Sequence, residues 1–309
     1  MMKKIIIKLF ILIIQLTLFL QYGCNRGDTP SDTPTTGTLT ISVDQTFKPL
    51  IDSEISTFGS IYNYAKVKVQ YKSETEVFND LLNDSIKVII ASRDLNPDEI
   101  KQFQKWEIVP RVTKIAIDAI ALIGSKDLKD TVFTVEEIKS LLEGEDILPS
   151  LRKTKIVFDE NNSSTINYII KKTGVNKFSS NCYALNSNKA VLDYISEGSN
   201  CIGIIGVNWI SDKDDSTVQN YLKKIKVLDI SSDKNSEALK PYQAYIALKT
   251  YPLTREVYII SKEAYNGLGT GFSAFVASER GQRIVLKFGL VPATMPIRLV
   301  EIINEDINN

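Results

Sequence analysis

The run Asp159-Glu160-Asn161-Asn162-Ser163-Ser164-Thr165 follows an apolar strand pattern (Ile156, Val157, Phe158) and precedes a helical one (Ile166, Tyr168, Ile169, Ile170). Three hydroxyls and two amides at the mouth of a helix suit the holding of a small anion. The first backbone N–H groups of a helix have no partner within it, and the aligned peptide dipoles add partial positive charge there. Short Ser, Thr and Asn side chains complete such a cradle without filling it, so an ion the size of phosphate fits. The same residues are also ordinary N-caps, and this motif alone leaves both readings open.

The elements that must carry this motif repeat a strand-then-helix pattern. Leu39 to Val43 predicts a strand and Phe47 to Phe58 a helix; Val67 to Tyr71, Glu74 to Leu82 and Val88 to Ala91 continue the alternation, and Asn96-Pro97-Asp98-Glu99 opens a further helix. Proline in the first turn with acids behind it is a start signal, and alternating elements of this kind build parallel βαβ units. Val112 to Gly124 (VTKIAIDAIALIG) is too long and too β-branched for one strand of that series and carries one acid, Asp118, amid apolar neighbours. It reads as a strand crossing between two lobes, and Tyr242 to Tyr251 reads as a second crossing. The middle lobe then holds helices at Thr134 to Leu142 and Lys189 to Ser196 and a strand at Ile202 to Val207. The fold class expected is α/β, two-lobed, with two crossing strands and a cleft between the lobes, where small-ligand sites are often found.

Met1-Met2-Lys3-Lys4, an apolar run from Ile5 to Leu20 broken by Lys8, Gln15 and Thr17, and then Gln21-Tyr22-Gly23-Cys24 have the plan of a secretory signal. The apolar run is shorter than the about 20 residues that span a bilayer. Residues 25–38 (NRGDTPSDTPTTGT) offer almost nothing to bury and read as a disordered tether. The organisation expected is thus 1–24 signal, 25–38 tether, 39–124 with 241–309 as one lobe and 125–240 as the other.

Lysine and arginine total 37, as do aspartate and glutamate; without Lys3, Lys4 and Lys8 the balance is 34 against 37, a net −3. A basic footprint for nucleic acid is absent, so an anion must be held by dipoles and one or two local charges. The chain has no histidine, and beyond Cys24 it has only Cys182 and Cys201. The common zinc sites and the Ser-His-Asp and Cys-His nucleophiles are excluded, and no cofactor is expected. Cys182 and Cys201 form a candidate disulfide if the compartment is oxidising, with two free thiols as the alternative.

Several stretches, in order, resemble the phosphate-type substrate-binding proteins of ABC importers, which have the periplasmic-binding-protein fold. They are Asp44-Gln45-Thr46-Phe47-Lys48-Pro49, Ala91-Ser92-Arg93-Asp94-Leu95, Ile117 to Ile123, Ser163-Ser164-Thr165, Ile202-Gly203-Ile204-Ile205-Gly206, Tyr251-Pro252-Leu253-Thr254-Arg255, and Gly281-Gln282 through Gly289-Leu290-Val291-Pro292. The start of the chain is similar to a bacterial lipoprotein signal, in which Cys24 is lipid-modified, although Gln21 stands where a leucine is usual. The resemblance implies capture of phosphate by Thr46 with the Phe47 amide, by Ser73, and by Ser163, Ser164 and Thr165. Ser164 replaces the glycine of the family pattern. The family's acid corresponds to Arg93 and its arginine to Asp159, so the signs are exchanged. Either Arg93 grips the oxyanion while Asp159 pairs with it or accepts a proton from a monohydrogen anion, or both are surface charges and the ligand differs. By the same resemblance the protein is a monomeric, lipid-anchored, periplasmic, non-enzymatic component of the cell envelope. It delivers phosphate to an ABC permease and binds no nucleic acid. Binding of sulfate, molybdate or an organic phosphate, or a sensor or scaffold role, is the alternative.

Overall fold

Residues 32–145, 151 and 153–296 are described by the structure, a computed structural model; the signal segment and Cys24 lie outside them. β1 (Gly37–Asp44) runs into a 3-10 turn over Gln45–Phe47 and then α1 (Lys48–Ile61), which Pro49 helps to start. β2 (Ala65–Lys72), α2 (Glu74–Leu82), β3 (Val88–Ala91) and α3 (Pro97–Lys105) repeat the unit, and β2 and β3 pair in parallel on either side of β1. Val88, Ile89, Ile90 and Ala91 are all buried, as an apolar run without alternation predicts for a central parallel strand.

β4 (Arg111–Ser125) is the crossing strand. Its first part, Arg111 to Ala119, pairs antiparallel with the later strand formed by Thr254 to Ser261, and its last part, from Ile120 to Gly124, with the strand containing Ile202 to Gly206. The change of partner between Ala119 and Ile120 marks where the two lobes meet.

β5 (Val132–Thr134), α4 (Val135–Glu143), β6 (Lys155–Phe158), α5 (Ser164–Thr173), β7 (Cys182–Ala184), α6 (Asn188–Glu197) and β8 (Cys201–Gly206) build the second lobe. A 3-10 turn over Val207–Trp209, α7 (Ser216–Lys224), β9 (Ile225–Val227) and β10 (Asp229–Ser231) complete it. The chain returns through α8 (Gln243–Ala247) to β11 (Thr254–Ser261), α9 (Leu268–Ala277), α10 (Glu279–Lys287) and β12 (Val291–Pro292). The strand order is β2-β1-β3-β11-β4-β8-β6-β7, with β12 and β9 each pairing with β4.

Three sequence expectations are corrected here. Tyr242 to Tyr251 is not a strand: Gln243–Ala247 is helical, and the extended return begins at Thr254, past Pro252. The crossing is still made beside β4, because the Leu253 carbonyl accepts the Ile120 N–H at 2.9 Å. The tether ends earlier than Thr38. Asp32 accepts the Leu268 N–H at 2.8 Å, Thr33 and Thr36 pair, and Pro34 lies on Gly271, where a Cβ would stand 1.8 Å from the Pro34 carbonyl oxygen. Cys182 and Cys201 are both free. β6 lies between their strands, which separates them by about 9–10 Å across the sheet, beyond the reach of a disulfide.

The buried face of α1 carries Leu50, Ile51, Glu54 and Phe58, so one helical stripe contains a carboxyl. Both Glu54 oxygens are buried without a hydrogen-bond partner among the described residues, and burial pushes its pKa up to about 9. Unfolded, the group ionises near 4.5. Between those values the unfolded chain holds fewer protons than the folded one, so stability falls as pH rises, by at most about 1.4 kcal/mol per pH unit from this group. Glu54→Leu is expected to flatten that decline and to raise the urea midpoint at pH 8 more than at pH 5; equal effects at both pH values contradict the assignment.

Candidate oxyanion site

Where β1 ends, Asp44 accepts the Thr46 N–H at 2.9 Å and folds the chain into the 3-10 turn, which buries Thr46 and Phe47. Where β6 ends, Asn162 takes φ +64°, a left-handed conformation that asparagine tolerates better than most residues. Ser163 then caps α5, its hydroxyl accepting the Ile166 N–H at 3.2 Å while donating to Asp159. These two strand ends face each other at the meeting of the lobes. The Thr46 hydroxyl lies 3.3 Å from the Ser164 hydroxyl and 3.3 Å from that of Thr165.

Arg255, from β11, reaches the same point. It stands opposite Asp118 in the register of β4 and β11, and its Nε donates to Asp118 Oδ2 at 2.9 Å. Its Nη1 donates to Ser164 Oγ at 2.8 Å, and its Nη2 is buried with no partner among the described residues. The guanidinium therefore links the first lobe to the α5 helix mouth. Burial works against its charge, but the nearby carboxylates of Asp118 and Asp44 outweigh that and raise its pKa above the ordinary value. Burial in turn raises the pKa of Asp118, with Arg255 opposing.

The 3-10 turn after β8 holds Thr46 from behind. Asn208 Nδ2 and the Trp209 indole N–H both donate to the Thr46 carbonyl, at 3.1 and 2.8 Å. Gly206 permits this approach, since a Cβ there would lie 2.6 Å from Thr46 Cγ2 and 3.0 Å from Asn208 Nδ2. Asn188 ties the turn to the helix mouth by donating to Asp159 at 2.9 Å and accepting the Gly206 N–H at 3.2 Å.

The expected site residues thus divide. Thr46, Phe47, Ser163, Ser164 and Thr165 come together, with the Phe47 ring 5.2 Å from the Arg255 guanidinium. Ser73 sits at the adjacent strand end and closes the capping box of α2 with Glu76. The expected pairing of Arg93 with Asp159 does not form. Arg93 forks onto Glu99 of α3 at 2.9 and 2.8 Å and covers the Phe78 ring, because Glu99, six residues on, presents both oxygens to it. Asp159 has Ser163 and Asn188 as partners, and burial, opposed by the Ser163 bond and reinforced by Asp44, pushes its pKa up to about 7. The arginine-acid pair at the site is Arg255 with Asp118.

Arg255, Asn208 and Trp209 were not among the expected site residues. Arg255 had a signal in its period: in TREVYIIS it shares the buried face of a strand with Val257, a position that an arginine occupies only with a partner. Asp118, the acid in the apolar crossing strand, is that partner.

Among the described residues, Asp44 Oδ2, Asp118 Oδ1, Asn208 Oδ1 and Arg255 Nη2 are buried polar atoms of this region without a hydrogen bond. No group of three or more metal-ligating side chains is present among them. The arrangement offers three rotatable hydroxyls and one fixed cation to an anion, together with acceptors for a proton that the anion carries.

Two α/β lobes sharing one long strand, with polar groups converging where the lobes meet, define a ligand-capturing binding protein. The chain belongs to the PBP superfamily, whose domain profile matches residues 28–280. The phosphate-binding protein PstS of Borreliella burgdorferi is 27% identical over 307 residues, covering 94% of this chain and 99% of that one. A PstS of Pseudomonas aeruginosa is 22% identical, covering 86% and 85%. Among solved structures, a protein from Clostridium perfringens with bound phosphate has a TM-score of 0.70 at 19% identity, covering 83% of this chain and all of that one.

Because Arg255 and Asp118 are both buried, removing one leaves the other uncompensated. Arg255→Met is expected to cost about 3–5 kcal/mol in urea denaturation, and Arg255→Met combined with Asp118→Leu to recover most of it. Equal losses in the single and double variants contradict the pairing.

Proposed function

We propose that this chain captures phosphate in the cleft between its lobes and hands it to an ABC-type permease, without making or breaking a bond. The observation that carries the reading is the convergence of the Thr46, Ser164 and Thr165 hydroxyls on Arg255, whose Nη2 has no partner among the described residues. The PstS relatives, matched over 99% and 85% of their lengths, support the same ligand. In this reading the Phe47 amide and the first N–H groups of α5 donate alongside the hydroxyls, with Ser73 at the edge of the site. Asp159 acts by fixing Ser163, and Asp44, with one oxygen unpartnered, accepts the proton of monohydrogen phosphate. Sulfate lacks that proton and sets a lone pair against the carboxylate, which gives selectivity. Closure of the lobes dries the site and strengthens each charge-assisted bond.

The protein works as a monomer outside the cytoplasmic membrane, held to the cell envelope by lipid on Cys24. Calorimetric titration with phosphate, sulfate and molybdate tests the capture. Phosphate is expected to bind with at least about tenfold preference over sulfate, Ser164→Ala and Thr46→Val each to weaken it at least about tenfold, and Arg93→Ala to leave it within about twofold. Absence of a phosphate isotherm, or a loss on Arg93→Ala as large as that on Ser164→Ala, sinks the reading.

A further inference from the structure

On the other side of the turn that grips Thr46 lies a cavity of about 630 Å3. This is within the size range of small-ligand sites. Both lobes line it. Val207 and Ile210 flank the two residues that hold the Thr46 carbonyl, Leu222, Ile225 and Val227 extend the apolar wall, and the end of α10 closes the far side. Tyr242, 58% exposed, stands at the rim.

The charge of the lining has one sign. Lys213, Lys240 and Lys287 line the cavity, and no carboxylate does so among the described residues. Lys240 is held by Asp229 at 2.7 Å and Lys287 by Asp212 at 3.2 Å and Asp214 at 3.9 Å, all three acids lying outside the lining. The Lys213 ammonium has no ion pair among the described residues. An occupant with an apolar body would cover the wall, and a single anionic head would pair with Lys213; a cationic head would find no acid in the lining to receive it.

We propose that this cavity is a binding site for an amphipathic monoanion, an alkyl chain ending in a carboxylate. The site is separate from the oxyanion cluster and does not depend on which ion that cluster takes. Isothermal titration of the protein with dodecanoate below its micellar concentration tests it, with acetate and dodecyltrimethylammonium as the head and the chain alone. Dodecanoate is expected to saturate at one per chain and the other two not to saturate. Lys213→Gln, at an exposed position, is expected to weaken dodecanoate about tenfold, and Leu222→Trp, which fills the wall, to abolish binding with the circular dichroism spectrum unchanged. Equal binding of the cationic chain, several dodecanoates per protein, or unchanged affinity in Lys213→Gln overturns the proposal. Binding that emerges only after residues 297–309 are removed assigns the cavity to the chain's own C-terminal segment and overturns it as well.

Discussion

The ion pair of Arg255 with Asp118 is the interaction on which the rest of the site depends. Both side chains are withdrawn from water, at 2% and 0% exposure, so neither is tolerable there without the other. The pair fixes β11 against the crossing strand at the level where β4 changes partners, and it uses only one edge of the guanidinium. The remaining edge is left to the helix mouth of the opposite lobe. A lysine could supply the charge but not two divergent sets of donors in one rigid plane, so the position requires arginine's fork geometry.

Around that pair the local field is crowded with acids. Asp44, Asp118, Asp159 and Glu74 all lie close enough to Arg255 to perturb one another, and burial raises the pKa of Asp118, Asp159 and Glu74. An anion site that is not broadly positive must rely on directed hydrogen bonds rather than on net attraction. The chain as a whole agrees, having no basic excess to lend. Such a site discriminates by where protons sit, since hydroxyls can turn to donate while carboxylates accept.

Much of this was legible in the sequence because it rests on local rules. The helix mouth at Ser163 follows from hydroxyls placed between a strand and an apolar helical period, and the long apolar run of β4 follows from burial on both faces. The parts that were not legible depend on distance in space. Arg93 and Arg255 are both arginines near strand ends, and only the fold reveals that Glu99 claims the first while Asp118 orients the second. The stretch before Pro252 has the β-favouring tyrosines of a strand, yet the alanines at 244 and 247 let it coil into a helix. Asp32 was hidden for a different reason. Its composition is that of a linker, and its role is to cap a helix more than 230 residues away.

The grip of the Trp209 indole on the Thr46 carbonyl has an optical consequence. The chain contains two tryptophans, and Trp106 is placed against Phe103 at the end of α3, away from the meeting of the lobes. Any separation of the lobes must break the indole bond at Trp209 and wet its ring, while the surroundings of Trp106 stay as they are. The protein therefore carries its own fluorescent gauge of how far the two halves have parted, with a silent second emitter as internal reference.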